Sequence, residues 1–168
     1  MDDSLRFVVR GELHFLVGYG GIVLYRELLE KLIGKYSYAK LQNPCTEDKL
    51  CDAEQAVGYA FPEELKCLLR ETDGDHWLIL SCEEIIKNVT DNREIFSDYL
   101  TKEEIDEKIN RFIFFATNGC GDYYCYKCLP DGNVDASCIY IWDHETFETR
   151  KVSETLVGLI NKYYDNEI

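Results

Sequence analysis

Residues 112–142 read FIFFATNGCGDYYCYKCLPDGNVDASCIYIW, and this stretch decides the fold class. Phe112-Ile113-Phe114-Phe115-Ala116 is apolar on both of its alternating faces, the pattern of a central strand covered on both sides. Asn118-Gly119-Cys120-Gly121-Asp122 supplies turn chemistry, and Tyr123 to Cys128 reads as the next strand. Pro130-Asp131-Gly132-Asn133 turns the chain again, and Ile139-Tyr140-Ile141-Trp142 is a third strand. Three strands joined by two short turns form an antiparallel meander.

Working outward, the upstream chain changes to a helical period. Leu24, Leu28 and Leu32 recur every fourth residue beside Tyr25, Leu29 and Ile33, which predicts a helix over 23–33 ending at Gly34. Lys35 to Asp52 is polar, contains Pro44 and reads as a loop. Phe61-Pro62-Glu63-Glu64 opens a helix, with Pro62 at the first helical position and Leu65, Leu68 and Leu69 on its apolar face. Asp73-Gly74-Asp75 is a turn, and His76 to Leu80 a short strand. Ser81-Cys82-Glu83-Glu84 and Thr101-Lys102-Glu103-Glu104 both have the spacing of capping boxes. The first opens a short helix through Ile85 and Ile86, the second a helix with Ile105 and Ile109. Downstream, Val152, Leu156, Ile160 and Tyr163 predict a closing helix from about Ser153. Helices first, then a meander, then one more helix make an α+β domain. Residues 5–17 have strand-like composition and are an edge strand or a leader. No linker divides the 168 residues, so a single domain is expected.

Lys and Arg number 18 against 32 Asp and Glu, a net charge of −14. This sign disfavours direct nucleic-acid binding, which depends on cationic side chains releasing counterions. It also disfavours an anionic membrane surface and favours a basic protein partner. The apolar stretch from Phe7 to Leu24 is interrupted by Arg10, Glu12 and His14, so it has neither the form of a signal sequence nor that of a membrane span. The eight cysteines are therefore read as reduced thiols of a cytoplasmic protein.

Gly18-Tyr19-Gly20-Gly21 lacks the third glycine and the downstream acid of a dinucleotide loop. Cys125-x-x-Cys128 lies in a strand, where residues three apart face opposite sides, so no zinc site and no other cofactor site is expected. His14, His76 and His144 stand outside any catalytic frame, and Asp143-His144-Glu145 reads as a turn, so no catalytic residue is assigned. The candidate partner-binding residues are the loop acids Asp73, Asp75, Asp122, Asp143 and Glu145, with Trp77 and Trp142 assigned to the core.

The order of segments carries a resemblance. It runs from Glu54-x-x-x-Gly58 through Phe61-Pro62-Glu63-Glu64-Leu65-Lys66, Leu68-Leu69-Arg70-Glu71-Thr72-Asp73-Gly74 and Trp77-Leu78-Ile79-Leu80-Ser81-Cys82-Glu83-Glu84-Ile85. It continues with Phe114-Phe115-Ala116-Thr117-Asn118-Gly119-Cys120-Gly121-Asp122-Tyr123, Ile141-Trp142-Asp143-His144-Glu145 and the last helix. Over about residues 22–165 the chain resembles the SUKH superfamily, which includes the yeast cell-wall-assembly regulator and bacterial immunity proteins. Asp73 stands where that family commonly has Asn. The resemblance implies an α+β fold without catalytic residues. It further implies an immunity-type protein that neutralises a cognate toxin, often a nuclease, or alternatively a regulatory scaffold.

Overall fold

The computed structural model describes residues 24–34, 36 and 38–168. The expectations for residues 5–17 and for Gly18 to Gly21 lie outside them. The element order is α1 (Tyr25–Ile33), α2 (Glu47–Val57), α3 (Glu63–Glu71), α4 (Cys82–Ser97), α5 (Lys102–Lys108), β1 (Phe112–Thr117), β2 (Tyr123–Cys128), β3 (Val134–Trp142), β4 (Thr149–Ser153) and α6 (Leu156–Tyr164). The fold is α+β, with its helices mostly ahead of a four-stranded sheet of order β1-β2-β3-β4, antiparallel throughout.

The local signals that worked are those with a mechanism. Ser81 accepts a hydrogen bond from the Glu84 amide while Glu84 accepts one from the Ser81 amide, and Thr101 and Glu104 repeat the arrangement. Each closed box satisfies amides that a helix start leaves open. Pro62 stands at the N-cap, one residue before the first helical turn.

Four expectations need correction. The segment expected to be a loop to Asp52 contains the first half of α2: Thr46 caps it by accepting from the Lys49 amide, and Leu50, Ala53 and Val57 are its buried face. Gly58 ends it at φ 89°, donating its amide to the Glu54 carbonyl, a left-handed position that glycine takes without a Cβ penalty. His76 to Leu80 does not form a full strand. It makes one isolated bridge, Ile79 with Ala116, flanked by Leu80 amide to Phe115 carbonyl and Thr117 amide to Leu78 carbonyl bonds. The helix after Ser81 is long, 16 residues rather than a short turn. A fourth strand, β4, precedes the last helix, so Val152 packs from a strand and α6 starts at Leu156.

β1 is buried on both faces as its sequence indicates, but it is the edge of the four-stranded sheet, with the 78–80 segment laid along it. Its Ile113 and Phe115, with Tyr124, Tyr126, Cys128 and Ile139, join the large core shared with the helices. Phe114, Cys125 and Trp142 point the other way into a smaller cluster closed by Ile109, Phe96 and Phe147. Trp142 is fully buried and donates its indole N–H to the Lys108 carbonyl at 3.0 Å. The buried Phe115 and Tyr126 rings stack at 4.9 Å, and burying rings of this size dominates core energetics.

Candidate functional site

The five acids expected at an interface fall into two groups. Asp73 and Asp75 are inside the protein, 5 % and 0 % exposed, and are corrected to structural residues. One Asp75 oxygen accepts the amides of Trp77, Leu78 and Ile79 at 3.0, 2.8 and 2.8 Å, and the other accepts the Tyr164 hydroxyl at 2.6 Å. Burial and the adjoining Asp75 carboxylate hold the Tyr164 phenol well above its ordinary ionisation range. Asp73 accepts the Cys82 amide at 2.7 Å, at the start of α4, where a carboxylate also complements the helix dipole. Gly74 between them has φ 89°, and a Cβ there would stand 2.8 Å from the Ile79 carbonyl oxygen and the Ser81 nitrogen. The Asp-Gly-Asp turn is thus folded inward, and its acids bond the segment that follows it.

Asp122, Asp143 and Glu145 do come together, around His144. An Asp122 oxygen accepts the His144 amide at 3.2 Å and lies 2.8 Å from His144 Nδ1, and its second oxygen accepts the Asn118 side-chain amide at 2.9 Å. Asp143 accepts the amides of Glu145 and Thr146 at 2.9 and 2.8 Å. Those backbone bonds, the Thr146 amide foremost, hold its carboxyl below the usual carboxylate range. The Asp122 hydrogen bond raises the His144 imidazole above its ordinary value, with Glu145 and Asp143 adding to the effect. Gly121 at φ 104° lets the imidazole lie flat on the backbone, since a Cβ would meet the ring at 2.9 Å. Glu145 is exposed.

Sequence reasoning missed a second feature of this side. Trp77, expected in the core, is 41 % exposed, and Tyr38 is 49 % exposed with its ring centroid 4.1 Å away. Together with Tyr36, Asn118, Tyr163 and Tyr164 they line a cleft of about 340 Å³. His76 places Trp77 there by taking φ 59°, which turns the chain outward while Asp75 holds the next three amides. The available signal was the pair Tyr36 and Tyr38 in a polar segment, together with a tryptophan one residue after a turn.

One side-chain group has the composition of a cation site: Cys45, Asp73 and Cys82, all buried, with ligand atoms within 4.8 Å of one another. The neighbouring Cys45 thiol and burial raise Cys82, and the Cys82 thiol lowers Cys45. Three donors are one short of a closed structural zinc site, and the Asp73 carboxylate already receives the Cys82 amide. Cys125 and Cys128 lie in different clusters on opposite sheet faces, and burial pushes Cys128 up to about 12; thiols so placed are poor nucleophiles. Among the described residues no helix is long and apolar enough to cross a membrane.

The family model described as SMI1 / KNR4 family (SUKH-1) matches residues 44–162. No curated protein matches the chain. The matched span runs from the segment before α2 into α6 and includes the Asp122–Glu145 face and Trp77.

Proposed function

The chain belongs to the SMI1 / KNR4 family (SUKH-1), and from that premise we propose that it binds a basic protein toxin and neutralises it through the face carrying Asp122, Asp143 and Glu145. The carrying observation is the convergence of these three acids around His144, on the β1–β2 and β3–β4 turns. Several carboxylates elsewhere meet cations: Glu47 and Glu63 share Arg70, Asp91 meets Lys87, Glu104 meets Lys108, and Glu154 meets Lys151. Among the described residues no lysine or arginine pairs with Asp122, Asp143 or Glu145, and the ring bonded to Asp122 is the titratable imidazole of His144.

A net charge of −14 produces a field that steers a basic partner toward the molecule and speeds encounter. A nuclease toxin is the class favoured on this reading, because its substrate cleft is built to receive phosphates and a cluster of carboxylates can occupy the same contacts. Neutralisation by occupancy requires no bond-making residue on this chain.

The test is a binding titration against the toxin encoded by the neighbouring reading frame, repeated across ionic strength. Affinity should fall steeply with salt, and the double variant Asp143→Asn/Glu145→Gln should bind roughly tenfold more weakly, mainly through a slower association rate. No binding, or binding indifferent to salt, overturns the proposal.

A further inference from the structure

Resting on that reading, we infer that the aromatic cleft beside the acidic face is the pocket that anchors the partner, and that its occupant is an arginine side chain of the partner protein. The lining residues Tyr36, Tyr38, Trp77, Asn118 and Tyr163 carry no charge, and Trp77 and Tyr38 are both exposed. A guanidinium stacks on such faces through the ring quadrupole, and because it is weakly hydrated it loses less on leaving water than an ammonium does.

Charge complementarity selects the same occupant. Asn118, a lining residue, holds Asp122 at 2.9 Å, so the cleft and the acidic face are continuous. Behind the cleft wall, the Tyr164 hydroxyl donates to the buried Asp75 carboxylate at 2.6 Å. Exposed Asp165 and Glu167 flank Asn166, another lining residue. The nearest lysine in sequence to Tyr163, Lys162, is turned away and donates to the Val152 carbonyl at 2.7 Å. Exposed tryptophan and tyrosine next to a polar rim are also the residue types that concentrate binding energy in protein interfaces. His76 adds a further sign: a non-glycine residue held at φ 59° is strain of the kind that persists where a side chain must be presented.

The experiment uses the full chain and two probes, a hexa-arginine and a hexa-lysine peptide, with the two tryptophan indole N–H signals followed by NMR. Trp142, bonded to the Lys108 carbonyl in the core, is the internal reference. The arginine peptide should shift the Trp77 signal saturably, leave the Trp142 signal in place, and bind about fivefold more tightly than the lysine peptide, the size of one exposed cation–π contact. Trp77→Ala should abolish that preference while both peptides keep equal, salt-dependent binding; Trp77→Phe should retain most of it. Equal affinities with an unmoved Trp77 signal overturn the inference, while their persistent salt dependence leaves the acidic face standing. A cleft filled by residues 1–23 of the chain itself would also leave Trp77 unmoved and overturns the inference in the same way. Loss of salt dependence for both peptides removes the acidic-face reading as well.

Discussion

Replacing Asp75 by alanine removes the acceptor for four donors at once: the amides of Trp77, Leu78 and Ile79 and the hydroxyl of Tyr164. The residue is fully buried, so little water can reach the freed groups. Each buried donor left without a partner costs about 1–3 kcal/mol. Taking the low end, because three of the bonds share one oxygen, gives roughly 4 kcal/mol in total. That is a large part of the ~5–15 kcal/mol by which a domain is usually stable. Asp75→Asn is milder. It keeps a neutral acceptor for the amides and can donate to the Tyr164 oxygen, so it forfeits only the charge-assisted increment, about 2 kcal/mol. At ~2–4 °C per kcal/mol for a chain of this size, the asparagine variant should melt roughly 4–8 °C lower. Urea unfolding followed by far-UV circular dichroism should show a lower midpoint at unchanged slope. A cycle with Tyr164→Phe should reveal coupling of about 1 kcal/mol or more. An alanine variant within about 0.5 kcal/mol of the parent would refute the reasoning, because it would mean that the carboxylate is not spent on the fold.

Gly74→Ala should destabilise by roughly 2–3 kcal/mol or more, read as a urea midpoint, since φ is positive and the added Cβ meets backbone rather than a movable side chain. Tyr126→Phe should be neutral or stabilising by up to about 1 kcal/mol in the same assay, because the hydroxyl is buried without a partner among the described residues while the ring keeps its stack on Phe115. His144 should titrate above its ordinary value, with Asp122→Asn bringing the midpoint back down in an imidazole NMR titration. A raised folded value favours the fold below the unfolded value of 6.5, and that contribution is lost as pH climbs through the folded value. The phenols of Tyr25 and Tyr164 are raised as well, chiefly by burial with help from Glu64 and Asp75 respectively. Melting temperature should therefore hold up to about the ordinary phenol value of 10 and fall above it, less steeply in Tyr164→Phe.

The strands and helices that were legible in the sequence are those whose signals are local. Turn chemistry at Asn118–Asp122 and Pro130–Asn133 located the hairpins, and the two capping boxes located α4 and α5. α2 was passed over because Pro44 and its polar neighbours suggested a loop, although Thr46 followed by Leu50, Ala53 and Val57 is a cap followed by an apolar face. β4 reads as TRKVS with only Val152 and Ser153 buried, too little alternation to mark a strand. The proposed binding face was half legible. Asp122, Asp143 and Glu145 converge because the β1–β2 and β3–β4 turns that carry them lie at the same end of the antiparallel meander. Asp73 and Asp75 have the same turn grammar, yet Asp75 is claimed by a tyrosine 89 residues downstream, a partner no local pattern announces. Trp77 reversed its expectation for a related reason: the neighbouring amides bind Asp75, and the ring is what remains to face outward.

The sheet has two lateral margins, and the fold treats them differently. On the β1 side, Leu78 and Leu80 occupy backbone groups that would otherwise be open. On the β4 side, Arg150 and Lys151 are exposed, and a second molecule approaching in register would bring like charges face to face. Charged residues on an open margin discourage strand-by-strand addition of further chains. The exposed rings of Trp77 and Tyr38 line the cleft with Asn118, so the charged β4 margin carries no aromatic ring.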